Sequence, residues 1–310
     1  MLQLYSLFIL ILDLVILSFK IFFAVIIALY RISRPPPLKS LNREVAVVVG
    51  AGQGIGREMV IHLAKFYAKV ACIDINKAAC NTTVELAQVS AVGITRTYIC
   101  NITDKNEVTQ TVKSIRSELG EITMFFHCCS IPAVSSKVLS RSQEDQPEVK
   151  NTVDLAILSY LWLLEMVLPS MELAGKGHVV ILSSVAAFST TVGQNRIPLS
   201  AAQFAVQGLA KSLQTEFRRS NNNIIVTLVH IYPFVLSAEV YSDIRFRIPS
   251  YFGAIPAKEV AKQILDGVRR NYLEFSVPGF ILYLGNISRI FPKEVSFMVS
   301  ELLHTGIDFG

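Results

Sequence analysis

The stretch that most limits what this chain can fold into lies between residues 45 and 74. Val45-Ala46-Val47-Val48-Val49 is a short apolar run rich in valine, the pattern of a strand buried on both faces. It leads straight into Gly50-Ala51-Gly52-Gln53-Gly54-Ile55-Gly56. Met59, Leu63 and Phe66 then fall at helical spacing, so residues 55–67 read as a helix whose first amides point back at the glycine turn. A Cβ in such a turn holds the backbone away from a phosphate, whereas glycine lets it approach, and the free amides at a helix start favour an anion. A second strand, residues 69–73, ends at Asp74, 18 residues beyond Gly56. A carboxylate there accepts hydrogen bonds from adenosine ribose hydroxyls and repels a 2′-phosphate. Strand, glycine turn, helix and spaced acid together specify a dinucleotide site, for NAD ahead of NADP.

The alternation continues: helix 78–89, strand 95–100, helix 104–119, strand 122–128, a long helix through 155–168 and strand 178–182. Helix 199–218, strand 224–229, a helix from Pro256 to Arg270 and strand 273–277 follow. Strands alternating with helices predict an α/β fold, a single Rossmann-type doubly wound parallel sheet. Its ligand crevice lies at the carboxyl ends of the strands, where Gly50, Asp74, Asn101, the Cys128 region, Ser184 and Tyr232 converge.

Composition explains what is left over. Hydrophobic residues make up 52% and charged residues 17%, which excludes a disordered chain and points to a globular domain with an extra apolar segment. That segment is N-terminal: residues 2–30 hold only two charged side chains, Asp13 and Lys20, and no Pro or Gly. About 20 apolar residues span a bilayer as helix. The run lacks the basic start and small-residue cleavage site of a signal peptide. Arg31, Arg34, Lys39 and Arg43 follow it, with Pro35, Pro36 and Pro37 ending the helix, so the positive-inside rule leaves the main domain in the cytosol. Asp13 and Lys20, seven apart, leave both a full span and a shallow dip into one leaflet open. The expected organisation is an anchor over 1–30, a basic Pro-rich linker over 31–43, the Rossmann domain over 44–278 and an apolar extension over 279–310. Amphipathic stretches at 279–291 and 295–303 in that extension suit either a membrane surface or a cover for the substrate cleft.

Other partner classes are excluded. A net charge of +5, dispersed along the chain, gives no basis for nucleic-acid binding. The five cysteines (Cys72, Cys80, Cys100, Cys128, Cys129) lack metal-ligand spacing, which implies no metal site and fits reduced thiols in the cytosol. The N-x-S/T matches at Asn81, Asn101 and Asn286 carry no weight in a cytosolic domain.

From residue 45 to about 280 the chain resembles the short-chain dehydrogenase/reductase family, and its anchor, glycine turn and Asp74-Ile75-Asn76-Lys77 are most similar to the membrane-bound retinol and 17β-hydroxysteroid dehydrogenase branch. The family's T-G-x-x-x-G-x-G reads here as Val49 followed by Gly50, Gly54 and Gly56, all three glycines intact. The resemblance assigns cofactor contacts to Gly50, Gly54, Ile55, Gly56, Asp74, Asn101 and Ile102, with Asn101 in place of the family's adenine-contacting Asp. At the nicotinamide end the pattern fails. N-N-A-G has become His127-Cys128-Cys129-Ser130, the catalytic Asn aligns with Ala156, and the gap-free frame over 199–209 puts Leu199 at the catalytic Tyr and Gln203 at the Lys. The P-G turn reads Pro233-Phe234, and the Thr near the nicotinamide aligns with Ala238. Of the catalytic residues the family uses, Ser184 alone is kept.

In the family reaction a tyrosine exchanges a proton with the substrate oxygen, its pKa lowered by a lysine ammonium. Leu199 has no proton to exchange, and neither Tyr160 nor Tyr232 has a lysine four residues on; His127 and His230 end strands near the crevice as the other candidate acids. Three readings follow. The first is a membrane-anchored, NAD-binding pseudoenzyme that regulates or dimerises with an active relative through the helices carrying Ala156 and Gln203. The second is a working oxidoreductase for lipophilic alcohols or ketones, retinoid or steroid, with a rearranged proton donor. The third is a structural lipid-surface protein without cofactor. The resemblance implies membrane lipid, a lipophilic small molecule and a homo- or heterodimer as partners, on endoplasmic reticulum or lipid droplet.

Overall fold

The structure, a computed structural model of the 310-residue chain, describes residues 2–90, 93–129, 146–184, 197–220, 222–231, 235–236, 255–288, 290–295 and 298. It divides into two units, residues 1–39 and 40–310.

The first unit is helix α1, Leu2–Ser33. Its 32 residues make it about 48 Å long at 1.5 Å per residue. The most apolar 18 residues of Ser6–Ser33 have a mean hydropathy of 2.7, and the segment is long and apolar enough to cross a membrane. The helix runs three residues past residue 30. Arg31, Ile32 and Ser33 continue the helix, which stops only where Pro35 disfavours helical geometry at Arg34.

The second unit runs in chain order β1 (Val45–Val49), α2 (Gly54–Lys65), β2 (Lys69–Asp74), α3 (Lys77–Ser90), β3 (Thr95–Ile99), α4 (Lys105–Leu119) and β4 (Met124–His127). Helix α5 (Gln146–Val153), a π-helical turn (Asp154–Leu158) and α6 (Ser159–Leu173) form one continuous rod, followed by β5 (Gly177–Ser184), α7 (Ile197–Ser220) and β6 (Ile224–Ile231). After the short pair β7 (Val235–Leu236) and β8 (Ile255–Pro256) come α8 (Ala257–Arg269), β9 (Glu274–Val277) and α9 (Phe280–Ser288). Seven strands form one sheet in the order β3-β2-β1-β4-β5-β6-β9, every neighbouring pair parallel. This is the doubly wound fold read from the sequence.

Both faces of the sheet are covered, so its central strands are apolar throughout. Val45, Val47 and Val49 pack with Phe125, Val179 and Ile181 against Val108, Val112 and Ile115 of α4, Leu163 and Val167 of α6 and Val206 of α7. Ala46 and Val48 face the other way with Met124, Phe126 and Val180, under Met59 and Leu63 of α2 and Val260 and Ile264 of α8. Residues 150–173 are also long and apolar enough for a membrane, but their buried face belongs to this core.

Boundaries moved where local hydrogen bonding decided them. Helix α2 stops at Lys65 because Tyr67 turns into the left-handed region at φ +60. Strand β4 is shorter than 122–128, the Ile122 amide donating to Ser170 Oγ at 2.7 Å instead of to a neighbouring strand. Asp104 lies outside α4 as its cap, its carboxylate accepting from the amides of Asn106 and Glu107.

The register places the functional ends. Val49 sits opposite Ile73 on one side and His127 on the other, so Gly50 emerges between Asp74 and Cys128 at the point where the strand order reverses. Ser130, Tyr232, Pro233, Phe234 and Ala238 fall outside the described residues, as does most of 295–303.

Candidate functional site

The glycine turn is fixed from below. The amides of Gly50 and Ala51 both donate to the Ile73 carbonyl, at 2.9 and 3.1 Å, which ties the end of β1 to the end of β2. Gly50 has φ +75, and a Cβ there would lie 2.8 Å from the Cys129 nitrogen. At Gly56 a Cβ would collide with the Gly50 carbonyl oxygen, so the start of α2 packs on the turn only without a side chain. Gln53, the residue before α2, is extended and makes no side-chain cap, which leaves the first-turn amides available to an anion. Two further residues brace the loop. Arg57 donates to the Gly52 carbonyl from Nη2 at 2.7 Å and from Nε at 3.1 Å, and Thr83 of α3 donates to the Ala51 carbonyl at 2.9 Å. The sequence reading missed both; the position of Arg57 directly after Gly56 was the available signal.

Asp74 closes this end of the crevice. Its Oδ2 accepts the Gly52 amide at 2.8 Å and its Oδ1 accepts the Asn76 amide at 2.9 Å, so the carboxylate is oriented by backbone. Half-buried Ile55 packs on the α2 side of the core. Asn101, at the end of β3, turns its Oδ1 to its own chain: Thr103 donates to it from N at 3.1 Å and from Oγ1 at 2.8 Å. That oxygen builds the turn into α4. The Ile102 side chain is buried in the core with Val108 and Val112.

The described residues at the other end of the crevice are apolar or internally bonded. Ala156 is wholly buried in the π-helical turn of Asp154–Leu158, so the wide backbone turn closes around a methyl group. Ser184 ends β5, which is longer than 178–182 and carries it to the carboxyl end of the sheet. Gln203, 8% exposed on α7, accepts the Ser184 amide at 3.0 Å and the Ser183 hydroxyl at 3.2 Å through its Oε1. Leu199 lies one turn earlier on α7, half-buried.

The alternative proton carriers among the described residues are sealed. His127 is 3% exposed, its Nε2 lies 3.1 Å from Ser159 Oγ, and its ring stacks on Tyr160 with centroids 3.8 Å apart. Burial lowers its pKa to about 3, and burial likewise pushes the Tyr160 phenol well above its ordinary value. His230 is fully buried and paired with Glu274 at 2.9 Å. Burial raises the Cys128 thiol and pushes Cys129 up to about 12, so neither is a ready nucleophile. Among the described residues no group of His, Cys, Asp and Glu could hold a metal ion.

The profile of the short chain dehydrogenase family matches residues 44–245. Epidermal retinol dehydrogenase 2 of Mus musculus is 23% identical over 270 residues, 86% of this chain and 84% of its own. 17-beta-hydroxysteroid dehydrogenase 13 of Homo sapiens is 24% identical over 293 residues, 94% of each chain. Short-chain dehydrogenase/reductase 3 of Bos taurus is 26% identical over 282 residues, 90% of each. Among solved structures, levodione reductase superposes with a TM-score of 0.65 at 20% identity, over 76% of this chain and 95% of that one. A 7α-hydroxysteroid dehydrogenase, solved with NADH and 7-oxo glycochenodeoxycholic acid, gives 0.65 at 20% identity over 76% and 93%. At these identities the structural likeness speaks for the fold.

Proposed function

This chain belongs to the short-chain dehydrogenase family, and from that premise we propose that it is a membrane-anchored protein that binds NAD(H) but has lost hydride transfer. One contrast carries the reading: the turn of Gly50, Gly54 and Gly56 with Asp74 is intact, while the positions of the family's catalytic Asn, Tyr and Lys hold Ala156, Leu199 and Gln203.

The residues present fit the adenosine half of a dinucleotide. Gly50 and Gly56 let the turn pack closely on its own backbone, Gly54 leaves open space where a side chain would stand, the uncapped amides of α2 face the turn, and the carboxylate of Asp74 stands at the ribose position. Its negative charge favours NAD over NADP. A nicotinamide cofactor supplies the family with a hydride donor or acceptor. What this chain lacks is the proton exchange that must accompany the hydride. A positioned acid/base contributes about 10²–10⁴ in rate, roughly 3–5 kcal/mol of barrier. Leu199 offers no proton, and the Gln203 carboxamide carries no charge to depress a neighbour's pKa. Ser184 keeps a hydroxyl able to hold a ligand oxygen, which is the one point in favour of a working oxidoreductase. That second reading needs a substitute acid, and burial opposes three of the four candidates, His127, Tyr160 and His230.

The apolar α1 and the basic residues after it support an anchor with the domain on the cytosolic side, and the resemblance to the membrane-bound dehydrogenase branch favours endoplasmic reticulum or lipid droplet as the membrane. On α9, Phe280, Tyr283, Leu284 and Ile287 are exposed at helical spacing, which supports a second contact with lipid and entry of a lipophilic molecule from the bilayer. Val153, Leu161 and Phe204, exposed on the α5–α6 rod and α7, support pairing with a second copy or an active relative, which a pseudoenzyme would regulate.

Turnover of a retinoid and steroid panel with NAD(H) and NADP(H), using the full chain in detergent micelles, tests the catalytic half. The expected result is none from the native chain and a measurable rate from Leu199→Tyr with Gln203→Lys. Native turnover that disappears in Ser184→Ala contradicts the proposal.

A further inference from the structure

The crevice is built at one end and closed on itself at the other. At the adenosine end the Asp74 carboxylate is aimed by two backbone amides, at 2.8 and 2.9 Å. A carboxylate offers about four acceptor directions, so two remain for ribose hydroxyls. The phosphate cradle above it is formed by glycine backbone with no side-chain cap on α2. At the nicotinamide end, the side chain standing where a ribose-binding ammonium belongs is buried, and its carbonyl oxygen is bonded to the Ser184 amide and the Ser183 hydroxyl. Leu199 and Ala156 present no hydrogen-bonding atoms beyond their backbone, and Ala156 is wholly buried.

Resting on the nucleotide-binding reading above, we infer that the crevice recognises the adenosine 5′-diphosphate moiety alone. The nicotinamide half adds no affinity. ADP-ribose then binds as tightly as NAD, and the oxidised and reduced dinucleotides bind alike, so the protein reports the presence of an adenine nucleotide and is blind to its redox state. Affinity follows the groups that gain contacts on binding, and among the described residues those stand at the adenosine diphosphate half.

Calorimetric titration of the full chain in detergent micelles with ADP-ribose, NAD and NADH tests this directly. The expected result is three dissociation constants within about fivefold of one another, each weakened about tenfold or more in Asp74→Ala. NAD or NADH binding more than about fivefold tighter than ADP-ribose overturns the inference while leaving the nucleotide-binding reading intact. Binding unaffected by Asp74→Ala, in a variant with native circular dichroism, moves the ligand elsewhere and also overturns it. Binding of none of the three by a chain with a cooperative melt removes the underlying reading as well. Leu199→Tyr with Gln203→Lys supplies a second comparison, against ADP: in the native chain ADP should bind as tightly as ADP-ribose, whereas restoring the ribose-holding pair should make ADP-ribose and NAD both bind more tightly than ADP, and unchanged equality there counts against the assigned cause.

Discussion

Gln203 Oε1 lies 3.0 Å from the Ser184 amide nitrogen and 3.2 Å from Ser183 Oγ, so one side chain of α7 fastens the carboxyl end of β5. The residue at the family's lysine position thus acts here as an acceptor for the strand. Gln203→Leu keeps the bulk and removes the acceptor from two partly or wholly buried donors. A loss of about 1–3 kcal/mol is expected, read as a lower thermal midpoint of the full chain in micelles. Gln203→Lys, which swaps the acceptor for a donor, should lose a similar amount. An unchanged midpoint in both variants would show that this contact does not hold the two elements together.

The glycines of the turn differ in what they tolerate. Gly56→Ala drives a methyl group into the Gly50 carbonyl and forces the backbone to move, whereas Gly54 has open space around its missing Cβ and only its φ of +56 to object. Strain in that left-handed region costs about 1–2 kcal/mol, and overpacking against fixed backbone about 1–3 kcal/mol or more. Gly56→Ala should therefore be the more destabilising of the two and should abolish nucleotide binding; paired melts and titrations rank them. The reverse order would contradict the packing described for the turn.

Acid should weaken the fold through His127. Its folded-state pKa of about 3 lies below the ordinary 6.5, so the unfolded chain binds the extra proton between those values and stability falls as pH drops through that window. Between about pH 7 and pH 5 the histidine contributes a loss of up to about 2 kcal/mol. His62, its pKa also lowered mainly by burial, acts in the same direction. His127→Asn should lower stability at neutral pH by removing the stack on Tyr160, yet flatten the fall in thermal midpoint on acidification. An equally steep fall in that variant would assign the acid sensitivity to other groups.

Much of this was legible because its causes are local. The valine run of β1, the glycines and Asp74 are each defined by neighbours within a few residues, and the strand ends follow from where the apolar runs stop. The role of Gln203 was not legible, since its partners lie 19 and 20 residues away and meet it only once α7 packs on the sheet. The stacking of His127 on Tyr160 spans 33 positions and has the same origin. The π-helical turn around Ala156 is a backbone arrangement without a residue signature, and the bond from Thr103 to Asn101 Oδ1 forms only as the chain turns into α4.

The apolar stripe of α9 was legible from spacing alone. If it rests on lipid, a spin label on Tyr283→Cys, in the full chain reconstituted into liposomes, should be more accessible to oxygen than to a water-soluble nickel chelate. Greater accessibility to the chelate would place that face in water. Because Tyr283 is 63% exposed, the substitution should leave the melt within about 0.5 kcal/mol of native.

The most direct test of the account compares NAD with NADP in calorimetric titrations of the full chain under reducing conditions. The account predicts binding of NAD and, because Asp74 faces the added 2′-phosphate, NADP weaker by about tenfold or more. A folded chain that binds neither, or that prefers NADP, would contradict it.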